Sequence, residues 1–149
     1  MNKINTIVLG DPMILGDAFE AAAHNNVEQF LGDLKVGNWE TDWGKLQNRR
    51  LEVEKFGPEI EVVDQLILDS GSDVEMLAGL FVPISSKVMA AMPKLRIAGV
   101  ARAGLENVNL AEATKRGVLV FNIEGRNAEA VSDFTVGLML SECRNIGRA

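Results

Sequence analysis

The sequence predicts an α/β protein: an open, parallel, five-stranded sheet with helices on both faces, flavodoxin-like in layout. Two observations carry that expectation. In the last third, the apolar runs Leu95 to Val100 and Val118 to Phe121 are each followed by a Gly- and Asn-containing turn and then by a helical pattern, as consecutive βα units are. Upstream, three further short apolar runs are likewise separated by helical periodicity, and no internal repeat interrupts the alternation. A chain of 149 residues fills one core and is too short for two ordinary ones, so a single compact domain over 1–149 is expected.

Taken in order, Ile4 to Leu9 reads as the first strand, closed by Gly10-Asp11-Pro12. Gly16 to Asn25 is a helix with Ala18, Phe19, Ala22 and Ala23 on one face, and Leu31 to Val36 is a strand ending in a Gly37-Asn38 turn. Trp39 and Trp43 lie four apart, which places both on one face of a polar helix as core or interface anchors. Gly57-Pro58 breaks that helix near Phe56. The spacing of Ile60, Val63 and Ile67 then predicts an amphipathic helix from Ile60 to Ser70, ended by Gly71-Ser72-Asp73.

Val74 to Val82 is the third strand, stopped by Pro83, with Ser85 or Ser86 placed to cap a short helix from Lys87 to Met92. Pro93 ends it ahead of the strand Leu95 to Val100. Asn109 opens a two-turn helix, Leu110 to Arg116, which Gly117 closes as a left-handed cap. The last helix, Asn127 to about Cys143, is apolar around most of its circumference. Val131, Phe134 and Leu138 mark one side and Val136 and Leu140 the other, which predicts a helix buried or sandwiched between two bodies, with Cys143 a buried inert thiol.

A net charge of −6 and the lack of a Lys/Arg-rich run argue against nucleic acid as a partner. Lys45, Arg49 and Arg50 cluster at a spacing that reads as a solvated helix face. Charged residues interrupt the chain too often for a membrane span, and the four-residue apolar run near the amino terminus is too short for a signal peptide, so a cytoplasmic location is expected. One cysteine and one histidine, His24, form neither a disulfide nor a soft-ligand metal site, and His24 is read as a surface or capping residue. None of the 14 glycines stands in G-x-G-x-x-G or G-x-x-x-x-G-K, so a dinucleotide, if used, is held mainly by something else.

Ligands of such sheets bind outside the carboxyl ends of the strands, which singles out Arg102 to Asn107 and Ile123 to Asn127. Arg102-Ala103-Gly104 combines a guanidinium with small residues whose backbone N–H groups can approach an anion, an arrangement suited to a carboxylate. Asn127 opens the long helix, where free N–H groups and the helix dipole favour negative charge by about 0.3–1 kcal/mol. Arg126 adds a second cation. The plainer readings are a turn at Arg102 to Gly104 and an N-cap at Asn127.

The stretch Leu95 to Ala149 resembles the end of the substrate domain of the D-isomer-specific 2-hydroxyacid dehydrogenases, the group that includes D-phosphoglycerate dehydrogenase. The matching elements are ARAG at 101–104, NVNLAEATKRGVLVFN at 107–122, GRNAEAVSDFTVGLML at 125–140 and the closing RNIGRA. The resemblance implies a hydride transfer between NAD or NADP and a 2-hydroxy or 2-keto acid. It implies that Arg102, Ala103, Gly104 and Asn127 bind the substrate and that Leu105 and Thr135 face the nicotinamide. It further implies a truncation before an inserted Rossmann domain, which would hold the cofactor and the catalytic groups, so that the 149 residues alone are inactive and no catalytic residue is named among them. The substrate's side chain would be read partly near Pro12 and near Pro83 to Ser86. Many members have two more residues between the glycine matching Gly104 and the Asn-Val pair matching Asn107-Val108. A homodimer through the long helix is also expected.

Two other classes share this layout. A phosphate-accepting receiver module needs an Asp at the end of the third strand, where this chain has Phe81-Val82-Pro83. A non-catalytic flavodoxin-like interaction domain would bind a protein partner through the terminal helix.

Overall fold

A computed structural model describes residues 3–148, so Ala149, the last residue of the resembling stretch, lies outside it. Five parallel strands, β1 (Ile4–Gly10), β2 (Leu31–Asn38), β3 (Met76–Gly79), β4 (Ile97–Val100) and β5 (Leu119–Phe121), form one open sheet in the order β2-β1-β3-β4-β5. This is the expected flavodoxin-like α/β layout. The sheet reverses its direction of growth between β1 and β3, and right-handed crossovers then send α1 (Gly16–Val27) to the opposite face from the four helices that follow it between β2 and β5.

The core lies between the sheet and α2 (Trp43–Phe56), α3 (Gln65–Ser70), α4 (Ser86–Ala91) and α5 (Leu110–Arg116). Alternation of period two points Ile7, Leu9, Leu77, Ala98 and Val100 toward Leu46, Val53, Ile67, Met89 and Ala113, all of them buried. The other face is thinly covered. There α1 lies over β1 and β2, with Phe19 beside the row formed by Ala78, Gly99 and Phe121.

Caps set most element ends. The side chains of Asp42, Asp64, Ser85 and Asn109 accept N–H groups at the starts of α2, α3, α4 and α5, and Gly117 closes α5 at φ +70°. Of the two serines considered for α4, Ser85 is the cap. Gly57 ends α2 at φ +83°, ahead of a 3-10 turn at Pro58–Ile60.

Several expectations are corrected. Trp39 follows β2 and is buried, whereas Trp43 opens α2 and is exposed, because Asp42 starts the helix between them. The amphipathic spacing across Ile60 to Ser70 spans two elements: a 3-10 turn, an extended link, and α3 begun by the Asp64 cap. Gly37 and Asn38 belong to β2 and not to a turn. The third strand is four residues long, and Leu80 to Val82 stay buried as a loop. Ala18 and Ala22 of α1 face solvent while Phe19 and Ala23 are half-buried.

The largest correction concerns α6 (Ala128–Cys143), which is not buried or sandwiched. Residues 128–140 are all exposed, Phe134 at 69% and Leu138 at 55%, and Cys143 is exposed as well. The sheet's inner face is already filled by α2 to α5, and α6 follows a turn in which Gly125 takes φ +70°. His24 lies on the surface, 3.7 Å from Glu28. No helix among the described residues is long and apolar enough to cross a membrane.

Candidate functional site

At the carboxyl ends of the strands lies a cavity of about 450 Å³ lined by Met13, Trp43, Gln47, Arg50, Phe81, Arg102, Ala103, Gly104, Arg126 and Asn127. Each strand end contributes. Met13 follows β1, Trp43 follows β2, Phe81 follows β3, Arg102 to Gly104 follow β4, and Arg126 and Asn127 follow β5. The cavity therefore straddles the point between β1 and β3 where the sheet order reverses, the usual ligand position in open α/β sheets.

The Arg102-Ala103-Gly104 loop is held from two sides. Arg102 C=O accepts the N–H of Ile123 at 3.0 Å, and Ala103 C=O accepts from Asn122 Nδ2 at 2.7 Å, so the loops after β4 and β5 form one rim. The guanidinium of Arg102 lies 4.8 Å from the Phe81 ring centroid and contacts Glu54 at 3.1 Å and Glu106 at 3.0 Å. Among the described residues, no acceptor is paired with the backbone N–H of Ala103 or of Gly104. A guanidinium beside two free N–H groups offers the kind of donors that a carboxylate accepts from.

Asn127 opens α6 at φ −119°, ψ 12°, and its side chain makes no capping hydrogen bond. The amide is thus not committed to capping the helix, and Asn127 lines the cavity. Arg126 stands next to it on the cavity wall.

Arg102, Ala103, Gly104 and Asn127, the four expected substrate contacts, line one cavity. Leu105 and Thr135 do not line it. Leu105 is half-buried against the core, and Thr135 lies eight residues along α6, about 12 Å beyond Asn127 at 1.5 Å per residue, its hydroxyl donating to Val131 C=O at 2.7 Å. Pro83 to Ser85 are buried and Ser85 caps α4, so among the described loops it is Met13 and Phe81 that reach the cavity. No group of three or more His, Cys, Asp and Glu among the described residues is placed to hold a metal ion.

Arg50, whose spacing with Lys45 and Arg49 reads in the sequence as a solvated face, belongs to the cavity wall. Arg50 donates from Nε to Gln47 Oε1 at 2.8 Å and lies 5.5 Å from the Phe81 ring centroid, so Phe81 meets both guanidiniums. Arg49 is half-buried as well. It contacts Glu40 at 3.1 Å and Glu61 at 2.7 Å and lies 4.1 Å from the Trp39 ring centroid, and the hydrogen bonds it donates to Glu61 raise its pKa. A signal existed: Trp43, Gln47 and Arg50 are spaced i, i+4, i+7, one stripe of a helix.

A family described as the catalytic domain of the D-isomer specific 2-hydroxyacid dehydrogenases matches residues 40–144, well over half of the chain. A glyoxylate reductase of Korarchaeum cryptofilum is 32% identical over 99 residues, 66% of this chain and 30% of its own length. A D-3-phosphoglycerate dehydrogenase of Methanocaldococcus jannaschii is 30% identical over 115 residues, 77% of this chain and 19% of its own. The chain thus spans a third or less of these curated relatives. The NAD+-bound 3-phosphoglycerate dehydrogenase of Entamoeba histolytica superposes with a TM-score of 0.62 at 14% identity, covering 93% of this chain and 39% of that one. The D-lactate dehydrogenase of Aquifex aeolicus, solved with NAD and lactic acid, superposes at 0.59 and 17% identity, over 90% of this chain and 33% of that one. At such identities the structural likeness speaks for the fold, and the family match and the curated relatives speak for descent. The strand-end cavity and these matches lead to one conclusion: the chain belongs to the D-isomer-specific 2-hydroxyacid dehydrogenase family.

Proposed function

We propose that this chain is the substrate-binding part of an oxidoreductase that transfers a hydride between a nicotinamide cofactor, NAD or NADP, and a 2-hydroxy acid or its 2-keto acid. The observation that carries the proposal is the convergence of Arg102, the N–H groups of Ala103 and Gly104, and Asn127 on one cavity at the strand ends. When bound, the nicotinamide supplies or accepts the hydride. This chain's own residues bind and orient the acid: the Arg102 loop takes the carboxylate, and Asn127 hydrogen-bonds an oxygen of the same substrate. The apolar wall of Met13, Trp43 and Phe81 receives the rest of the molecule.

The chain carries no glycine fingerprint, so the dinucleotide is held mainly by an inserted Rossmann domain outside these 149 residues, with Leu105 and Thr135 on the nicotinamide side. The 149 residues alone are then inactive, and the protein works in the cytoplasm, without nucleic acid. The test is Arg102→Gln in an active dehydrogenase carrying this chain. The KM for glyoxylate rises about tenfold or more, as loss of a charge-assisted hydrogen bond requires. An unchanged KM refutes the reading.

A second feature bears on assembly. The apolar residues of α6 are exposed on both sides of the helix, which supports a homodimer through α6. The same surface supports the alternative of a non-catalytic interaction domain that binds a protein partner, and in that case Arg102→Gln leaves partner binding intact.

A further inference from the structure

The carboxylate of Glu106 occupies part of the loop assigned to the substrate. Its Oε2 lies 3.0 Å from Arg102 Nη2, and a Cβ built on Gly104 would stand 2.2 Å from the same oxygen. An anion of this chain therefore rests on the guanidinium and against the glycine that are read as the carboxylate receptor.

The two carboxylates on Arg102 differ in their freedom to leave. Glu54 is 28% exposed in its side chain, rises from α2, and also lies 3.8 Å from Arg50. Glu106 is 49% exposed, stands on the loop itself four residues after Arg102, and has no other cation within 4 Å among the described residues. Rotation about its own side-chain bonds returns it to water without moving the backbone. Arg102, by contrast, is only 15% exposed and is held under the Phe81 ring. An incoming carboxylate must share the guanidinium with a like charge or replace it, and replacement keeps the half-buried cation paired throughout.

We propose that Glu106 is a displaceable internal counter-ion that fills the carboxylate site in the free protein, and that its departure sets how tightly the site takes a small 2-keto acid. The proposal rests on the reading of Arg102, Ala103 and Gly104 as the carboxylate receptor. Glu106 is a specificity-determining residue in this scheme and takes no part in the chemistry. It weakens binding of every monoanion and so favours ligands whose remaining atoms gain from Met13, Trp43 and Phe81.

The experiment titrates glyoxylate into the 149-residue chain and into its Glu106→Gln and Glu54→Gln variants. Trp43 fluorescence and the backbone amide signal of Gly104 report the binding. Glu106→Gln binds about tenfold tighter than the parent, the gain expected when a charge-assisted contact no longer competes, and Glu54→Gln gains clearly less. If Glu106→Gln binds no tighter than the parent, or the two variants gain equally, the effect is absent or is general charge and the displacement is overturned. If none of the three proteins binds glyoxylate, the assignment of the loop as carboxylate receptor falls as well.

Discussion

The carboxylate of Asp11 accepts the backbone N–H of Phe81 at 3.3 Å, joining two loops seventy residues apart in the chain. The same carboxylate accepts from Met13 N–H at 2.9 Å and Ile14 N–H at 3.3 Å, and Asp11 is fully buried. One acidic side chain thus fixes the turns after β1 and β3, and with them the ring on which Arg102 and Arg50 lie.

Asp11→Ala leaves the N–H groups of Met13, Ile14 and Phe81 short of their acceptor, that of Phe81 in a buried position. The expected loss is on the order of 3 kcal/mol of stability, with Asp11→Asn losing less because its amide oxygen still accepts. Urea unfolding of the two variants checks the order.

Asn127→Ala raises the KM for a 2-keto acid in an active dehydrogenase carrying this chain, by the worth of one neutral hydrogen bond, about 0.5–1.5 kcal/mol or a few-fold. Its side chain caps nothing in α6, so the melting temperature stays the same. A drop in melting temperature with unchanged kinetics would return Asn127 to a structural role.

Glu59 ties the 3-10 turn after α2 to α4 and α5. Burial pushes its carboxyl pKa up, but hydrogen bonds from Asn109 Nδ2 (2.8 Å), Ser86 N–H (2.7 Å) and Ser86 Oγ (2.7 Å), with the charge of Lys87, outweigh that and hold it below the usual value. A carboxyl with a lowered folded-state pKa stabilises fully above its unfolded pKa and loses that contribution as the pH falls through the folded value. Glu59→Gln is therefore destabilised by roughly 1–3 kcal/mol at pH 7 and converges with the parent in acid. Melting curves across pH test this, and a gap that persists in acid would mean that packing, not charge, is lost.

Self-association through α6 is expected to depend on concentration and to be lost in Phe134→Glu, which places a charge at a residue 69% exposed in the single chain. Sedimentation over a wide concentration range reads it out. A strict monomer that binds no hydrophobic dye would rule out α6 as an interface.

NADH should not bind the 149 residues tightly, since no glycine-rich phosphate loop follows any strand. Fluorescence titration tests this, and micromolar affinity would show that the chain holds the dinucleotide by itself.

The sequence alone determined what is local. Strands separated by helical periodicity predict the parallel sheet, and Asn109, Gly117 and Gly57-Pro58 mark their boundaries because capping and positive φ are properties of a few neighbouring residues. The loops after β4 and β5 were legible for the same reason, since a strand end followed by Gly and Asn is a local pattern. Tertiary structure decided the rest. Whether Arg50 meets solvent or a cavity depends on how α2 rolls against the sheet, and that is set by Leu46 and Val53 entering the core. Phe81 reaches the arginines because Asp11, far away in sequence, takes its N–H. For α6 the apolar pattern predicted burial, yet composition records only what a surface prefers to touch. Whether a neighbour is there to touch is decided by tertiary packing, and here the inner sheet face is already filled by α2 to α5.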